Sequence, residues 1–267
     1  HESLGMPLPS KDQCNGASYV DDTFFFNISP SPKECLDGIR RTATICFDMF
    51  ARHGLIINFD KGKTEILLRL RGEEARTTST ELFKVEHPHL CVHTKAYGIQ
   101  HVSITKSYKH MGCVTPDDGS IYPELRNRTA GAYKGAKEVS KLLSCSRLDA
   151  KPKITLVRSM CISRLTYNMA TIPFWPPNAV DKISRTYNNM YRKAVLYRRA
   201  DGLPVRVTNI RIFREHGIPP FHCYLRKMRL TYFQRFLQFV PSSLKTLIMH
   251  EYSVADDKSF LGSVLND

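Results

Sequence analysis

Two adjacent carboxylates, Asp21 and Asp22, interrupt an otherwise apolar stretch that reads GASYVDDTFFF. An ionised carboxylate is costly to bury unless a cation or a metal ion neutralises its charge. A carboxylate pair at a tight turn between strands suits Mg²⁺, which prefers oxygen ligands and keeps several waters for substrate phosphates. Two such ions about 3.5–4 Å apart stabilise both oxygens of an in-line phosphoryl displacement. The alternative is an ordinary solvated turn, because Asp is a common turn residue.

A hairpin and a helix are predicted to position this pair. Residues 16–28 fit a strand, a tight turn at Val20–Asp22 and a second strand rich in Phe. Ser31 then opens the capping-box pattern SPKE, which marks the start of a helix. Apolar residues at helical spacing predict that this helix covers about 32–53 and ends at Gly54.

More strands and then a long series of helices follow. The sequence predicts strands from Thr64 and at 90–92, 98–105 and 108–114. From Ser120 onward the apolar residues recur at helical spacing, which predicts three helices before Thr208 and two or three after it. Strands first and helices second indicate an α+β fold with a helical second part.

The net charge of +14 is concentrated in one segment of the chain. Residues 119–235 carry 23 Lys and Arg against 6 Asp and Glu, a net charge of +17. This local excess is expected of a surface that follows a phosphate backbone, and a basic solvated surface without a polyanion partner is the alternative. Several of its cations lie off the apolar positions of the predicted helices: Arg126, Lys134, Lys137, Lys141, Arg192 and Lys193.

The cysteines indicate the redox state of the cellular compartment, and the lengths of the apolar runs indicate whether a helix could span a membrane. Eight scattered cysteines without a CxxC pair suit free thiols in a reducing compartment, nuclear or cytoplasmic, better than a disulfide framework. No run approaches 18 apolar residues, so neither a membrane-spanning helix nor a membrane partner is predicted. Because the chain starts at His1 without an apolar signal segment, we expect that end to be a cut edge inside a longer protein.

The order of the motifs resembles the reverse transcriptases of non-LTR (LINE-type) retrotransposons. In that family YxDD is followed by a helix, a GLxxN…KT turn and strand, a YxxLG motif and a helix of the EIxxRxxxA kind. The corresponding segments here read YVDD, GLIINFDKGKTEIL and YKHMGCVTPDDGSIYPELRNRTAGAYKGA. Further on, LVRSMCISRLTYNM is similar to the family's thumb pattern and YLRKMRLTYFQRFLQFVPSSL to its post-thumb helix. The similarity covers about residues 17–247.

This resemblance implies an RNA-directed DNA polymerase that uses Mg²⁺, deoxynucleoside triphosphates, an RNA template and a DNA primer. Asp21 would be the metal ligand of the turn, with Asp22 its neighbour and a further ligand. Tyr19 and Val20 would support the primer end and the incoming nucleotide. Lys63 would lie near the triphosphate, where a protonated amine can neutralise or protonate the departing pyrophosphate. Taken alone, Lys63 is more typical of an ordinary turn.

A second implied element is the primer grip, a hairpin at 108–114 that packs against the primer backbone. Its residues in contact with nucleic acid would include Tyr108, Lys109, His110 and Gly112. The sequence departs from the family where His110-Met111 stands in place of an aromatic residue and Leu, and where Lys61-Gly62 lengthens the turn before Lys63. Both departures are expected to alter the positions of the hairpin and the turn more than the chemistry of their side chains.

The implied architecture is a partial palm at 1–118, a helical basic thumb at 119–200 and a helical extension at 201–267. The family's other metal-binding aspartate belongs to an FxDxxxAF-like strand upstream of YxDD, and only 18 residues precede Tyr19 here. The chain would therefore hold half of a two-metal site and be inactive alone. The alternative is a non-catalytic nucleic-acid-binding protein derived from such an element.

A possible metal face occurs at His87, His89, Cys91 and His93, which alternate and would project to one side of a strand. Zinc is one interpretation of this pattern. Exposed strand and loop residues are the other, because four consecutive alternate positions span too far for one tetrahedral ion.

Aromatic residues are interleaved with cations in the last part of the basic segment. Tyr187, Tyr191 and Tyr197 could stack on nucleic acid, although their apolar spacing favours a core position with the neighbouring cations facing phosphates. Trp175, in PFWPPN, is predicted to anchor a loop between helices.

Overall fold

The chain is a mixed α+β protein in a computed structural model that describes residues 15–19, 22–60, 62–172, 175–195, 207–240, 242–255 and 259–265. It divides into two compact units, His1–Ser120 and Ile121–Asp267. The strands of the described ranges belong to the first unit, and the second unit is helical. The helices within these ranges all lack the combination of length and apolar character needed to cross a membrane.

The first unit begins with the predicted hairpin. Strands β1 (Asn15–Tyr19) and β2 (Asp22–Phe26) pair antiparallel, with Tyr19 opposite Asp22 at the closed end. The side chains of Phe24, Phe25 and Phe26 are 55%, 41% and 49% exposed. These three rings give the hairpin a large apolar surface of its own.

Helix α1 (Pro32–Arg52) follows and confirms the predicted boundaries to within one residue. The Ser31 hydroxyl accepts a hydrogen bond from the backbone N–H of Glu34 at 3.3 Å, as the capping-box pattern predicts. Gly54, just past the end of the helix, has φ of +75°, the left-handed conformation that glycine adopts at low cost.

Helix α1 packs on a three-stranded sheet in the order β3-β5-β4. Strand β3 (Glu65–Leu67) runs parallel to β5 (Gly98–Thr105), and β4 (His89–Thr94) pairs antiparallel with β5. Along β4 buried and exposed residues alternate strictly. Its buried Val92 joins Val102, Cys46 and Phe47 in a core between sheet and helix.

Two elements between and after these strands complete the first unit. Helix α2 (Ala75–Leu82), which the sequence did not predict, lies between β3 and β4. Strands β6 (Ser107–His110) and β7 (Cys113–Pro116) form a hairpin where one strand was predicted from the residue pattern. Both turn residues, Met111 and Gly112, have positive φ, 47° and 78°, as a two-residue type I′ turn requires.

The second unit is built around three helical stretches with a shared core. They are α3 (Tyr122–Glu138) with the short α4 (Ser140–Ser144), then α5 (Ala150–Val157) continued by a π-helical segment at Arg158–Ile162 and α6 (Ser163–Thr166), then α7 (Pro177–Ala194). The core contains Val157, Leu165, Ile183, Tyr187 and Met190, each fully buried. The predicted apolar spacing therefore identified the buried faces, whereas the π-helical segment was not predicted.

The contact between α3 and the π-helical segment is very close at one glycine. A Cβ atom added to Gly135 would lie 2.1 Å from the backbone oxygen of Met160. Only glycine fits this helix crossing without a shift of backbone. By contrast, a Cβ on Gly131 of the same helix would meet its nearest neighbour, the Cβ of Arg164, at an ordinary 3.7 Å.

Among the described residues after Thr208 there are four helices, one more than the sequence predicted at most: α8 (Asn209–His216), α9 (Phe221–Phe239), α10 (Ser242–Ala255) and α11 (Phe260–Leu265). They belong to the same unit as α3–α7. Trp175 is buried and donates a hydrogen bond from Nε1 to the Met169 carbonyl at 3.4 Å, which confirms that it anchors the loop before α7.

Candidate functional site

The hairpin of β1 and β2 places the backbone of Asp22, one of the two predicted carboxylate residues, at its closed end. The backbone of Tyr19 faces that of Asp22, so two residues separate the paired strands in the chain. Val20 and Asp21 are those two residues, and they lie outside the described ranges. A hairpin with this spacing is the backbone arrangement that the sequence predicted. The roles of Tyr19 and Val20 in holding the primer end, and of Asp21 and Asp22 in binding metal, stay predictions.

Hydrogen bonds from several residues hold the turn that carries Lys63. The Lys63 N–H donates to the Asp60 carbonyl at 3.0 Å, and the Gly62 N–H donates to the Glu65 carboxylate at 2.8 Å. The Tyr108 hydroxyl donates to the Lys63 carbonyl at 2.9 Å. The Lys63 side chain itself is exposed. The backbone of this lysine is thus fixed while its amine stays accessible to a ligand.

The same Tyr108 belongs to the β6–β7 hairpin, the predicted primer grip. Tyr108 and His110 lie on one face of β6, with their ring centroids 6.4 Å apart and the planes inclined by 20°. Lys109 points to the opposite face and is exposed, as are the turn residues Met111 and Gly112. This hairpin presents the two nearly parallel rings of Tyr108 and His110 on one face and the Lys109 ammonium on the other.

The described residues do not form a complete Mg²⁺ site. Within those ranges, three side chains bring possible metal-ligand atoms close together: His89, Cys91 and His101. Their nitrogen and sulfur donors are softer than the oxygen ligands that Mg²⁺ prefers. The donor set found in the described residues therefore does not fit the magnesium ions that the resemblance implies.

The exposed side of α3 carries a row of cations in the second unit. Arg126, Lys134 and Lys137 are exposed, and Lys141 continues the row on α4. The opposite side of α3 is buried at Leu125, Ala132 and Ala136. We call these four cations, together with Tyr133 and Lys193, the basic face.

An aromatic ring connects this row to α7. The Lys193 ammonium lies 5.2 Å from the centroid of the Tyr133 ring, within the range of a cation–π contact. Tyr133 is 41% exposed. Rings beside cations are the combination with which proteins stack bases while neutralising phosphates. The sequence interpretation did not include Tyr133, although its position seven residues after Arg126 and four before Lys137 places it on the same side of the helix.

Arg192 has a different environment from its neighbour Lys193. Its side chain is half-buried, and Nε donates a hydrogen bond to the Asn209 side-chain oxygen at 2.8 Å. This contact ties the end of α7 to the first residue of α8. Arg192 therefore supports the structure of the helical unit, and its guanidinium is less available to phosphate than the exposed cations of the basic face.

Two acidic residues of α3, Glu124 and Glu138, pair with arginines of the same unit. Arg128 is buried, pairs with Glu124, and lies 4.8 Å from the ring centroid of Tyr167. Arg164 pairs with Glu138 at 2.8 Å, and this hydrogen bond lowers the pKa of the Glu138 carboxyl. Each of these pairs has no net charge, and Glu138 also interacts electrostatically with Lys134 of the basic face.

Two tyrosines of α7 belong to the core of the second unit. The ring centroids of Tyr187 and Tyr191 are 4.9 Å apart, and the Tyr187 hydroxyl donates to the Pro219 carbonyl at 2.9 Å. Both are buried, which confirms the prediction that they are core residues; Tyr197 lies outside the described ranges. Burial, and then the neighbouring Tyr191, strongly raise the pKa of Tyr187. Burial likewise raises the pKa of Tyr191, and its hydrogen bonds with Arg158 and Tyr187 oppose that rise.

Comparison of the chain with known protein families, with curated proteins and with solved structures gives no match.

Proposed function

We propose that this chain is the C-terminal palm and thumb portion of a retroelement RNA-directed DNA polymerase of the non-LTR type. The observation that carries the proposal is the hydrogen bond between Tyr108 and the Lys63 carbonyl. These residues belong to two motifs 45 positions apart, which the resemblance assigns to the triphosphate and the primer end. A polymerase holds the triphosphate and the primer end at one site, so the two motifs should lie in contact.

The basic face supports a nucleic-acid partner. Its exposed cations follow one side of α3 and reach α7 through Tyr133, and the α3 acids Glu124 and Glu138 are paired with Arg128 and Arg164. A face of this kind neutralises phosphates with little regard to sequence. In a polymerase thumb, this face would hold the template–primer duplex along its backbone.

The hairpin of β1 and β2 supports a palm whose remaining strands come from elsewhere in the complete enzyme. Its Phe24, Phe25 and Phe26 side chains are each about half exposed, which is unusual for three successive large apolar residues. The strand that bears the other metal-binding aspartate would pack here. Asp21 and Asp22 stay proposed ligands of Mg²⁺, and that strand would add the further carboxylate.

A non-catalytic nucleic-acid-binding protein derived from a retrotransposon is the second candidate. It is favoured by the exposed cations of the basic face, because binding to phosphates needs no two-metal site. The coding sequence directly upstream separates the two candidates. An in-frame strand with an FxDxxxAF-like motif supports the polymerase, and a stop codon or an unrelated exon supports the binding protein.

Both candidates require that the chain binds nucleic acid, which a salt titration tests. With five or six phosphates neutralised, the logarithm of the affinity for a labelled RNA–DNA duplex should fall against log salt with a slope of about −4 to −5. Charge reversal on the basic face should weaken binding to all sequences alike and flatten this slope. The triple variant is Lys134→Glu, Lys137→Glu and Lys141→Glu.

A matched control changes the net charge by the same amount in the first unit. It reverses three exposed lysines outside the basic face: Lys33→Glu, Lys84→Glu and Lys95→Glu. We expect this control to keep most of the slope, because it removes no phosphate contact. Equal losses in the two triple variants, or no binding at low salt, would reject the basic face as a nucleic-acid surface.

A further inference from the structure

A group of soft metal ligands lies on the exposed side of the three-stranded sheet, and it does not depend on the proposed polymerase role. His89 and Cys91 project from β4, and His101 projects from the neighbouring β5. One ligand atom from each residue lies within 4.8 Å of the other two. We propose that this group binds a zinc ion through the two imidazoles and the Cys91 thiolate.

Strand register explains why these three side chains meet. Cys91 stands directly opposite His101 in the antiparallel pair, and His89 stands opposite Ser103. His89 and His101 are therefore diagonal neighbours on the same face, on which side chains of adjacent strands come into contact. The ring centroids of the two histidines are 4.7 Å apart.

The distances between the ligand atoms are close to those found around a bound metal ion. With zinc–sulfur bonds of about 2.3 Å and zinc–nitrogen bonds of about 2.0–2.1 Å, tetrahedral ligands are about 3.3–3.6 Å apart. The Cys91 sulfur and the His101 Nδ1 are already 3.4 Å apart. The remaining separations, up to 4.8 Å, need only small rotations of exposed side chains.

His89 already has the hydrogen bond that orients a metal-binding histidine. Its Nδ1 lies 3.1 Å from the His87 carbonyl oxygen. With the proton on Nδ1, the ring donates this bond and leaves the lone pair of Nε2 for a metal ion. A backbone carbonyl that accepts from the second nitrogen is a common outer partner of zinc-binding histidines.

The backbone beneath the group is rigid. Leu90 and Val92, which alternate with the ligands on β4, are 3% and 0% exposed, and Val102 beside His101 on β5 is also buried. Buried neighbours of this kind fix the two strands and so preorganise the ligands that project outward. His93 extends from the same side of β4 but stands opposite Ile99, and it is not part of the group.

Zinc is the metal that this ligand set favours. Imidazole and thiolate together suit Zn²⁺ in four-coordinate geometry, and three protein ligands leave the fourth position to water. The group is at the surface, so water reaches that position. Binding converts the Cys91 thiol to a thiolate and releases its proton to the solvent.

The test is a Zn²⁺ titration of the whole chain in competition with a chromophoric chelator, together with Co²⁺ substitution. We expect one ion per chain and a thiolate-to-cobalt charge-transfer band in the Co²⁺ form. Cys91→Ser and His101→Gln should each weaken Zn²⁺ binding more than about tenfold. Cys91→Ser should also abolish the charge-transfer band.

Two control variants remove a similar side chain outside the group. They are His93→Gln, on the same strand and face, and Cys223→Ser, an exposed thiol of the other unit. Both should keep the wild-type affinity, and circular dichroism should show all four variants folded. Zinc affinity that is unchanged in Cys91→Ser and His101→Gln, or lowered equally in the controls, would overturn the proposal.

Discussion

The Tyr108 hydroxyl donates a hydrogen bond to the Lys63 backbone carbonyl at 2.9 Å and joins the β6–β7 hairpin to the turn before β3. Because the acceptor is a backbone atom, the bond survives any change of the Lys63 side chain. The position of this turn and the chemistry of its lysine can therefore be altered separately.

Replacement of the tyrosine tests the positional role. Tyr108→Phe removes the donor and keeps the ring, so it should lower the free energy of unfolding by about 0.5–1.5 kcal/mol. Urea denaturation of the whole chain measures this change. Tyr133→Phe is the matched control, because the contact recorded for Tyr133 is that of its ring with Lys193, and it should have little effect. Equal values for the two variants would show that the bond does not stabilise the fold.

Replacement of the lysine tests the chemical role in a complete enzyme that carries this segment. Lys63→Ala should leave the free energy of unfolding nearly unchanged, slow nucleotide addition and leave primer binding nearly intact. Asp21→Asn in the same enzyme should abolish synthesis. Single-turnover kinetics with a separate primer-binding titration distinguish these effects. Parallel losses in binding and rate for Lys63→Ala would argue against a role at the leaving group.

The 267-residue chain by itself should not extend a primer on an RNA template. Two-metal catalysis requires carboxylates from two strands, and the proposed ligands of this chain, Asp21 and Asp22, are adjacent in the sequence. A primer-extension assay with Mg²⁺ or Mn²⁺ measures this. Template-dependent synthesis that is lost in Asp21→Asn would mean that the site is complete within the chain.

Two glycines of α3 should respond to alanine in opposite directions. Gly135→Ala places a methyl group 2.1 Å from the Met160 backbone oxygen, so overpacking should cost at least about 1–3 kcal/mol of stability. Gly131→Ala meets only an ordinary contact and should stabilise the helix by about 0.5–1 kcal/mol. Thermal unfolding of both variants tests this, and a stabilising Gly135→Ala would disprove the close crossing.

The stability of the helical unit should fall at alkaline pH. Burial raises the pKa values of Tyr187 and Tyr191 in the folded state. Above the ordinary tyrosine pKa of about 10, the unfolded chain loses these protons while the folded chain keeps them. The stability is therefore fully present below pH of about 10 and decreases above it, by up to about 1.4 kcal/mol per pH unit for each tyrosine.

Urea denaturation between neutral and alkaline pH measures this dependence. Tyr187→Phe should be less stable at neutral pH, because it loses the bond to the Pro219 carbonyl, and should show a shallower alkaline decline. An unchanged slope in Tyr187→Phe would exclude this tyrosine as a cause.

Elements with strong local signals were predictable from the sequence. The Ser31 cap, the helical spacing of α1 and the glycine at position 54 specify that helix through neighbouring residues alone. Strand β5 matched its predicted bounds, Gly98–Thr105. Helix α2 was missed because ARTTSTEL has no apolar period and contains β-branched threonines, so its helical state depends on the surrounding structure.

Contacts that depend on strand register or helix packing were not predictable. The pattern of alternating residues selected His87, His89, Cys91 and His93, whereas the group in the structure takes its third ligand, His101, from another strand. A single sequence does not specify which residues face each other across two strands. Tyr133 was missed for a similar reason, since its importance comes from Lys193 on a separate helix.

The half-exposed phenyl rings of β2 have a consequence for handling the protein. The segment from Thr23 to Ile28 combines high strand propensity, three aromatic rings and no proline or charge. In a two-stranded sheet it offers a strand edge to which other copies can add, as in the early steps of aggregation. Preparations of the isolated chain should therefore lose soluble protein as concentration rises, and chaperones should retain it in cells. A charged residue in place of Phe25 or Phe26 is the change that should keep it in solution.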